Sequence, residues 1–154
     1  MDGYSIGMIG VALCVLLCGV GSCMGLCKTS SVAAGVLGQD PKKFGKLMVL
    51  VLLPATQGIY GFIIGIIASG TLNSLAAASA PAALGWAVFG AVLPMAISGL
   101  ASGYFQGKAA ANCIAAVGKQ ESLSGKLIVY PGMIEFYAIL GLIISIMLVS
   151  AIAI

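Results

Sequence analysis

The chain has 154 residues, of which 61% are hydrophobic and only 7% charged, with a mean hydropathy of +1.18 and a net charge of +3. That balance lies outside the range of water-soluble globular domains and within that of membrane proteins. It excludes a soluble catalytic domain, and it excludes a nucleic-acid-binding surface, because the seven basic residues, all Lys, share no solvated domain and no aromatic partners.

Hydrocarbon about 30 Å thick needs roughly 20 mainly apolar residues per helical crossing. Four stretches meet that requirement, at 5–27, 47–71, 82–107 and 127–154, the last expected to leave the hydrocarbon near residue 152. The expected fold is an all-α membrane protein of four transmembrane helices. Ahead of the first, Met1, Asp2, Gly3, Tyr4 and Ser5 supply no basic segment, and the apolar stretch that follows is too long for a secretory signal, so this helix is expected to stay. Between the first and second helices lie Lys28, Lys42, Lys43 and Lys46, and between the third and fourth lie Lys108, Lys119 and Lys126. The middle connection, 70–81, carries no Lys. The excess of Lys predicts that both lysine-rich loops face the cytoplasm, with both termini and the middle connection on the far side of a cell membrane.

Cys14 and Cys18, and likewise Cys23 and Cys27, stand one turn apart, and at 100° per residue the two pairs point to nearly opposite sides of the first helix. With no His in the chain and no C-x-x-C spacing, cysteine here reads as a small apolar packing residue, and no disulfide or zinc centre is expected.

Sliding the sequence along itself by eighty positions superposes Gly10 on Gly90, Leu13 on Leu93, Gly19 on Gly99, Ser22 on Ser102 and Lys28 on Lys108. The match runs on through Gly45, Lys46, Leu47, Ile59, Gly61 and Ile63, which meet Gly125, Lys126, Leu127, Ile139, Gly141 and Ile143. This is a tandem duplicated helical hairpin, with repeats expected at 1–74 and 81–154 in one membrane domain. A hairpin crosses twice, so both copies enter in the same direction, about an axis along the membrane normal, the symmetry a ring needs. Glycines four apart, Gly21 and Gly25 in one copy and Gly99, Gly103 and Gly107 in the other, allow close backbone approach. First helices inside and bulkier second helices outside is the expected arrangement.

Of the acidic residues Asp2, Asp40, Glu121 and Glu135, only the last falls within an apolar span, about 15 Å deep. An intramembrane carboxylate costs at least ~2.5 kcal/mol when ionised and marks function, or else is a protonated group held by a hydrogen bond between helices. Gln57 and Gln106 each lie twelve residues from the lysine-rich surface, counted from Gly45 and to Gly118, and so share its level. On the second helix Leu53, Thr56, Gln57 and Tyr60 form one stripe. Tyr60 can hydrogen-bond Glu135 or act as an ordinary interhelical tyrosine. Pro54 deprives the Leu50 carbonyl of its donor and can bare a neighbouring carbonyl such as that of Leu53. A carboxylate, two amide oxygens, a hydroxyl and a carbonyl form an all-oxygen shell, the preference of a hard cation. In the register of eighty, Glu135 falls on Ala55, Gln57 on Tyr137 and Gln106 on Leu26, so one ion site per chain is expected.

The segments Leu53-Pro54-Ala55-Thr56-Gln57-Gly58-Ile59-Tyr60-Gly61, Gln106-Gly107-Lys108 and Glu135-Phe136-Tyr137-Ala138-Ile139-Leu140-Gly141 resemble the sixteen-kilodalton proteolipid of V-type ATPases, the K or c component of the rotor ring, in its bacterial sodium-transporting form. The resemblance covers essentially the whole chain. It implies a ring of identical subunits turning in membrane lipid against a stator subunit that supplies an arginine, with central-stalk subunits at the lysine-rich loops and ATP hydrolysed elsewhere. It also implies Na⁺ ligation by residues matching Glu135, Gln57, Gln106, Thr56 and the Leu53 main-chain carbonyl, supported by Tyr60. Phe136 departs from the Thr expected in sodium-type relatives, at a position that is no ligand in that family. The alternatives are the same rotor carrying H⁺, and a non-transporting oligomeric channel, against which a lone midplane carboxylate argues. The chain is not expected to be catalytic alone, having no His, no Arg and no nucleophile and base pair.

Overall fold

In the computed structural model, which describes residues 2–152, every regular element is helical. In chain order they are α1 (Gly3–Gln39), α2 (Phe44–Leu52), α3 (Thr56–Ala77), α4 (Ala82–Lys119), α5 (Ser124–Leu127) and α6 (Val129–Ser150), with 3₁₀ turns at Pro41–Lys43, Leu53–Ala55 and Glu121–Leu123. Met1 and the last two positions expected in the fourth span, 153 and 154, lie outside the described residues. Taking α2 with α3 and α5 with α6, four helical rods among the described residues are long and apolar enough to cross a membrane. The chain is a multi-pass membrane protein.

The first and third rods are longer than the apolar stretches predicted. Lys28 and Lys108 do not begin loops: α1 continues to Gln39 and α4 to Lys119. Nothing in Thr29–Gln39 stops a helix, and the chain breaks only at Asp40-Pro41, where the Asp40 carboxylate accepts from the Lys42 N–H at 3.1 Å. At 1.5 Å per residue a rod of 37 residues spans about 55 Å, more than a bilayer with its headgroups, so the lysine-bearing ends project into water. A separate core of Ala33, Leu47, Leu50, Val51, Cys113, Ile114 and Val117 binds those ends together. Lys28 lies 3.5 Å above the Tyr104 ring, a cation–π contact that lets a charge sit partway along a helix.

α1 and α4 run parallel and touch backbone to backbone. A Cβ on Gly21 would come 2.7 Å from Leu100 Cα, one on Gly10 would come 2.8 Å from Phe89 Cα, and one on Gly103 would come 2.6 Å from the Gly21 carbonyl carbon. Each pair differs by 79 to 82 positions, as two copies related about the membrane normal and offset by eighty residues must. α3 packs antiparallel on α1, with Gly61 against Cys18 and Gly65 against Val15, while α6 packs antiparallel on α4, with Gly141 against Ser98. The inner pair is therefore α1 and α4, and the outer pair, α3 and α6, exposes Ile59, Phe62, Ile66, Met133, Phe136, Tyr137, Leu140 and Met147. Cys14 and Cys18 are buried and Cys23 and Cys27 exposed, on the opposite sides expected of them.

The backbone around Pro54 and Pro94 is held by polar groups from neighbouring helices. The Thr29 hydroxyl donates to the Val51 carbonyl at 3.0 Å, and Ser22 Oγ accepts the Gly58 N–H at 2.7 Å, on either side of Pro54. Beside Pro94, the Met95 N–H donates to Ser145 Oγ at 3.0 Å. In hydrocarbon such freed groups have no water to turn to, and these buried hydroxyls satisfy them.

Candidate ion site at the α3–α4–α6 junction

Two breaks prepare the site. Pro54 converts one turn of the second rod to 3₁₀ geometry at Leu53–Ala55, and Pro131 stands one turn ahead of Glu135 near the start of α6. Between them α4 presents Gln106. Gln57 Nε2 donates to Gln106 Oε1 at 2.6 Å; Gln106 Nε2 donates to Glu135 Oε2 at 3.3 Å and to the Pro131 carbonyl at 3.1 Å. The Tyr60 hydroxyl donates to Glu135 Oε1 at 2.9 Å. Both glutamines are 0% exposed, while Glu135 is half-buried at the outer surface of the bundle.

The structure thus joins Gln57, Gln106, Glu135 and Tyr60 in one connected network across three helices. Leu53 and Thr56 pair with each other instead: the Leu53 carbonyl accepts both the Thr56 N–H and the Thr56 hydroxyl, the latter at 3.0 Å. The Leu53 carbonyl is consequently not bare, as the proline alone suggested, because the 3₁₀ turn supplies it with donors. Sequence reasoning passes over Pro131, although its carbonyl, four residues before Glu135, is the one an unbroken helix would offer to the Glu135 N–H.

Gln57 Oε1 is buried and has no hydrogen-bond donor. A buried amide oxygen without a donor costs about 1–3 kcal/mol, and a cation beside it removes that cost. Among the described residues no three His, Cys, Asp or Glu side chains gather as a metal site. One carboxylate with neutral oxygens balances one monovalent cation, leaving a neutral assembly that tolerates a low-dielectric setting; a divalent ion would keep a net charge there.

A duplicated hairpin with one half-buried carboxylate at mid-depth on its outer face defines the class of ion-carrying membrane proteolipids. The model of the ATP synthase C-subunit family matches twice, at residues 9–68 and 89–148, an offset of eighty positions. The V-type sodium ATPase subunit K of Enterococcus hirae is 38% identical over 147 residues, covering 96% of this chain and 92% of that protein. The A-type ATP synthase subunit K of Methanocaldococcus jannaschii is 36% identical over 148 residues, covering 96% of this chain and 63% of that protein. The chain belongs to the ATP synthase C-subunit family.

Proposed function

We propose that this chain is the rotor-ring proteolipid of a V-type ATPase and carries Na⁺ across the membrane on Glu135. Identical copies form the ring, with α1 and α4 toward its centre and α3 and α6 toward lipid and stator. The protein is not catalytic: ATP is hydrolysed by soluble partners, and this chain turns their torque into ion movement. The observation that carries the reading is the hydrogen-bonded group of Glu135, Gln106 and Gln57, in which Gln57 Oε1 is buried and lacks any donor. The name of the Enterococcus relative, a sodium ATPase subunit, supports the same cargo. A proton bound by Glu135 alone would need neither amide oxygen.

Na⁺ enters from a half-channel at the stator face and takes the place of the amide donor on the Glu135 carboxylate, with Gln57, Gln106, Thr56 and the Leu53 carbonyl as its further oxygens. Tyr60 holds the carboxylate in place throughout. The neutral, occupied site passes through lipid and is discharged where a stator arginine pairs with Glu135. Moving each charge against the membrane potential takes ~2.3 kcal/mol per 100 mV, which the partner ATPase supplies. Both termini lie on the non-cytoplasmic side, and the projecting ends that carry Lys42, Lys43, Lys46, Lys119 and Lys126 meet the central stalk.

The test is carbodiimide labelling of purified rings, since the reagent attacks a protonated carboxyl. NaCl, but not KCl, is expected to slow labelling mapped to Glu135. Labelling that follows pH alone and ignores Na⁺ would make the cargo a proton and overturn the sodium assignment.

A further inference from the structure

Two buried side-chain atoms among the described residues have no hydrogen-bond partner: Gln57 Oε1 and Ser102 Oγ. Ser102 is 4% exposed and lies four residues before Gln106 on α4, one turn along the same face, with Cβ atoms about 6 Å apart. Gln106 in turn accepts from Gln57 Nε2 at 2.6 Å, so the residues that carry the two unpartnered atoms both adjoin Gln106. The antiparallel pairing of α4 with α6, Gln106 to Pro131 and Met95 to Ser145, sets Ser102 opposite the turn that follows Glu135.

The repeat explains why this hydroxyl is free. Its counterpart in the first hairpin, Ser22, accepts the Gly58 N–H, one turn beyond the Pro54 break. The counterpart of Gly58 is Ala138, inside the continuous helix Val129–Ser150, where backbone N–H groups pair within the helix. The serine is common to both hairpins, but a backbone N–H donates to it in only one.

We propose that Ser102 and Gln57 together hold one water molecule against the bound cation, which makes Ser102 a positioning residue of the site and a determinant of cation size. The inference rests on the sodium reading above. A buried water ordinarily makes about three polar contacts, and the Ser102 hydroxyl, the lone pair of Gln57 Oε1 that does not face the cation, and the cation itself are three. The water adds an oxygen that no side chain supplies. Na⁺ needs it more than Li⁺, which is smaller and is satisfied by fewer ligands.

The experiment compares the NaCl and LiCl concentrations that half-protect Glu135 from carbodiimide in parent rings and in Ser102→Ala, Ser102→Thr and Ser98→Ala rings. Ser102→Ala is expected to raise the NaCl value about three- to tenfold and the LiCl value less, while Ser102→Thr, which keeps the hydroxyl, stays close to the parent. Ser98→Ala, whose hydroxyl donates to the Met95 carbonyl, leaves both values unchanged. Ser102→Gly repeats the loss of the hydroxyl without the alanine methyl group. Parent NaCl values in both hydroxyl-free rings, or an equal loss of Na⁺ and Li⁺ protection, would overturn the proposal. Parent rings indifferent to NaCl would instead bring down the sodium reading, and this inference with it.

Discussion

Gln106 joins three polar groups of the site: its oxygen accepts from Gln57, and its nitrogen donates to Glu135 and to the Pro131 carbonyl. Gln106→Leu would strand the Gln57 donor at a position 0% exposed, besides removing a proposed ligand. Each stranded group costs about 1–3 kcal/mol, so the NaCl concentration that half-protects Glu135 is expected to rise by at least about tenfold. Tyr60→Phe removes a single hydrogen bond from a carboxylate that keeps its Gln106 partner, and the same titration is expected to shift only about three- to tenfold. Glu135→Gln is expected to abolish both labelling and ATP-driven Na⁺ uptake by the assembled complex; uptake at the parent rate would remove Glu135 from the mechanism. The contact between Gln57, Gln106 and Glu135 was legible in the sequence because a fixed rise per residue turns residue counts into depth. The mutual bond of Leu53 and Thr56 was not, because it depends on the rotamer of Thr56 and on how tightly the chain winds at Pro54, and neither leaves a spacing in the sequence.

The glycine seam of α1 and α4 belongs to the element scale. At Gly103 the obstacle to a Cβ is the Gly21 carbonyl carbon at 2.6 Å and the Ser22 nitrogen at 2.9 Å, all backbone, so no side-chain rotation can make room. Gly103→Leu is expected to cost about 3 kcal/mol or more, seen as loss of the assembled ring on gel filtration in mild detergent, whereas a variant that assembles normally would show that the helices are not in backbone contact. The turn between α3 and α4 offers a change in the other direction. Ser79 has φ of 52°, and the Ala80 N–H closes back on the Leu75 carbonyl at 3.0 Å, the geometry of a helix C-terminus that favours glycine. Ser79→Gly is expected to stabilise the protein by about 1 kcal/mol in thermal unfolding of detergent-solubilised material. Helix identity was legible here from hydropathy, but helix length was not. Lys28 and Lys108 imitate the edge of a membrane span, and only the packing of Lys28 against Tyr104, together with the second core beyond it, shows that the rods continue.

For the whole molecule, duplication followed by divergence leaves two halves of equal architecture and unequal chemistry. The backbone symmetry survives in the register of α1 beside α4, yet Pro54 and Pro131 break the outer rods at positions that do not correspond, since Pro54 aligns with Ile134 and Pro131 with Val51. Ala55, Leu26 and Tyr137 occupy the counterpart positions of Glu135, Gln106 and Gln57 in the opposite hairpin. A carboxylate moved to the first hairpin, in Glu135→Ala with Ala55→Glu, would therefore face Leu26 without an amide to orient it or share a cation. Carbodiimide is expected to label rings of this double variant at a rate that NaCl does not alter. Adding Leu26→Gln and Tyr137→Gln supplies the missing amides, and partial return of NaCl protection is the expected result. If instead the carboxylate alone, without the two glutamines, gave protection at the parent NaCl concentration, depth in the membrane and not the surrounding oxygens would be what selects the ion, because the two positions share a level and differ only in the company they keep.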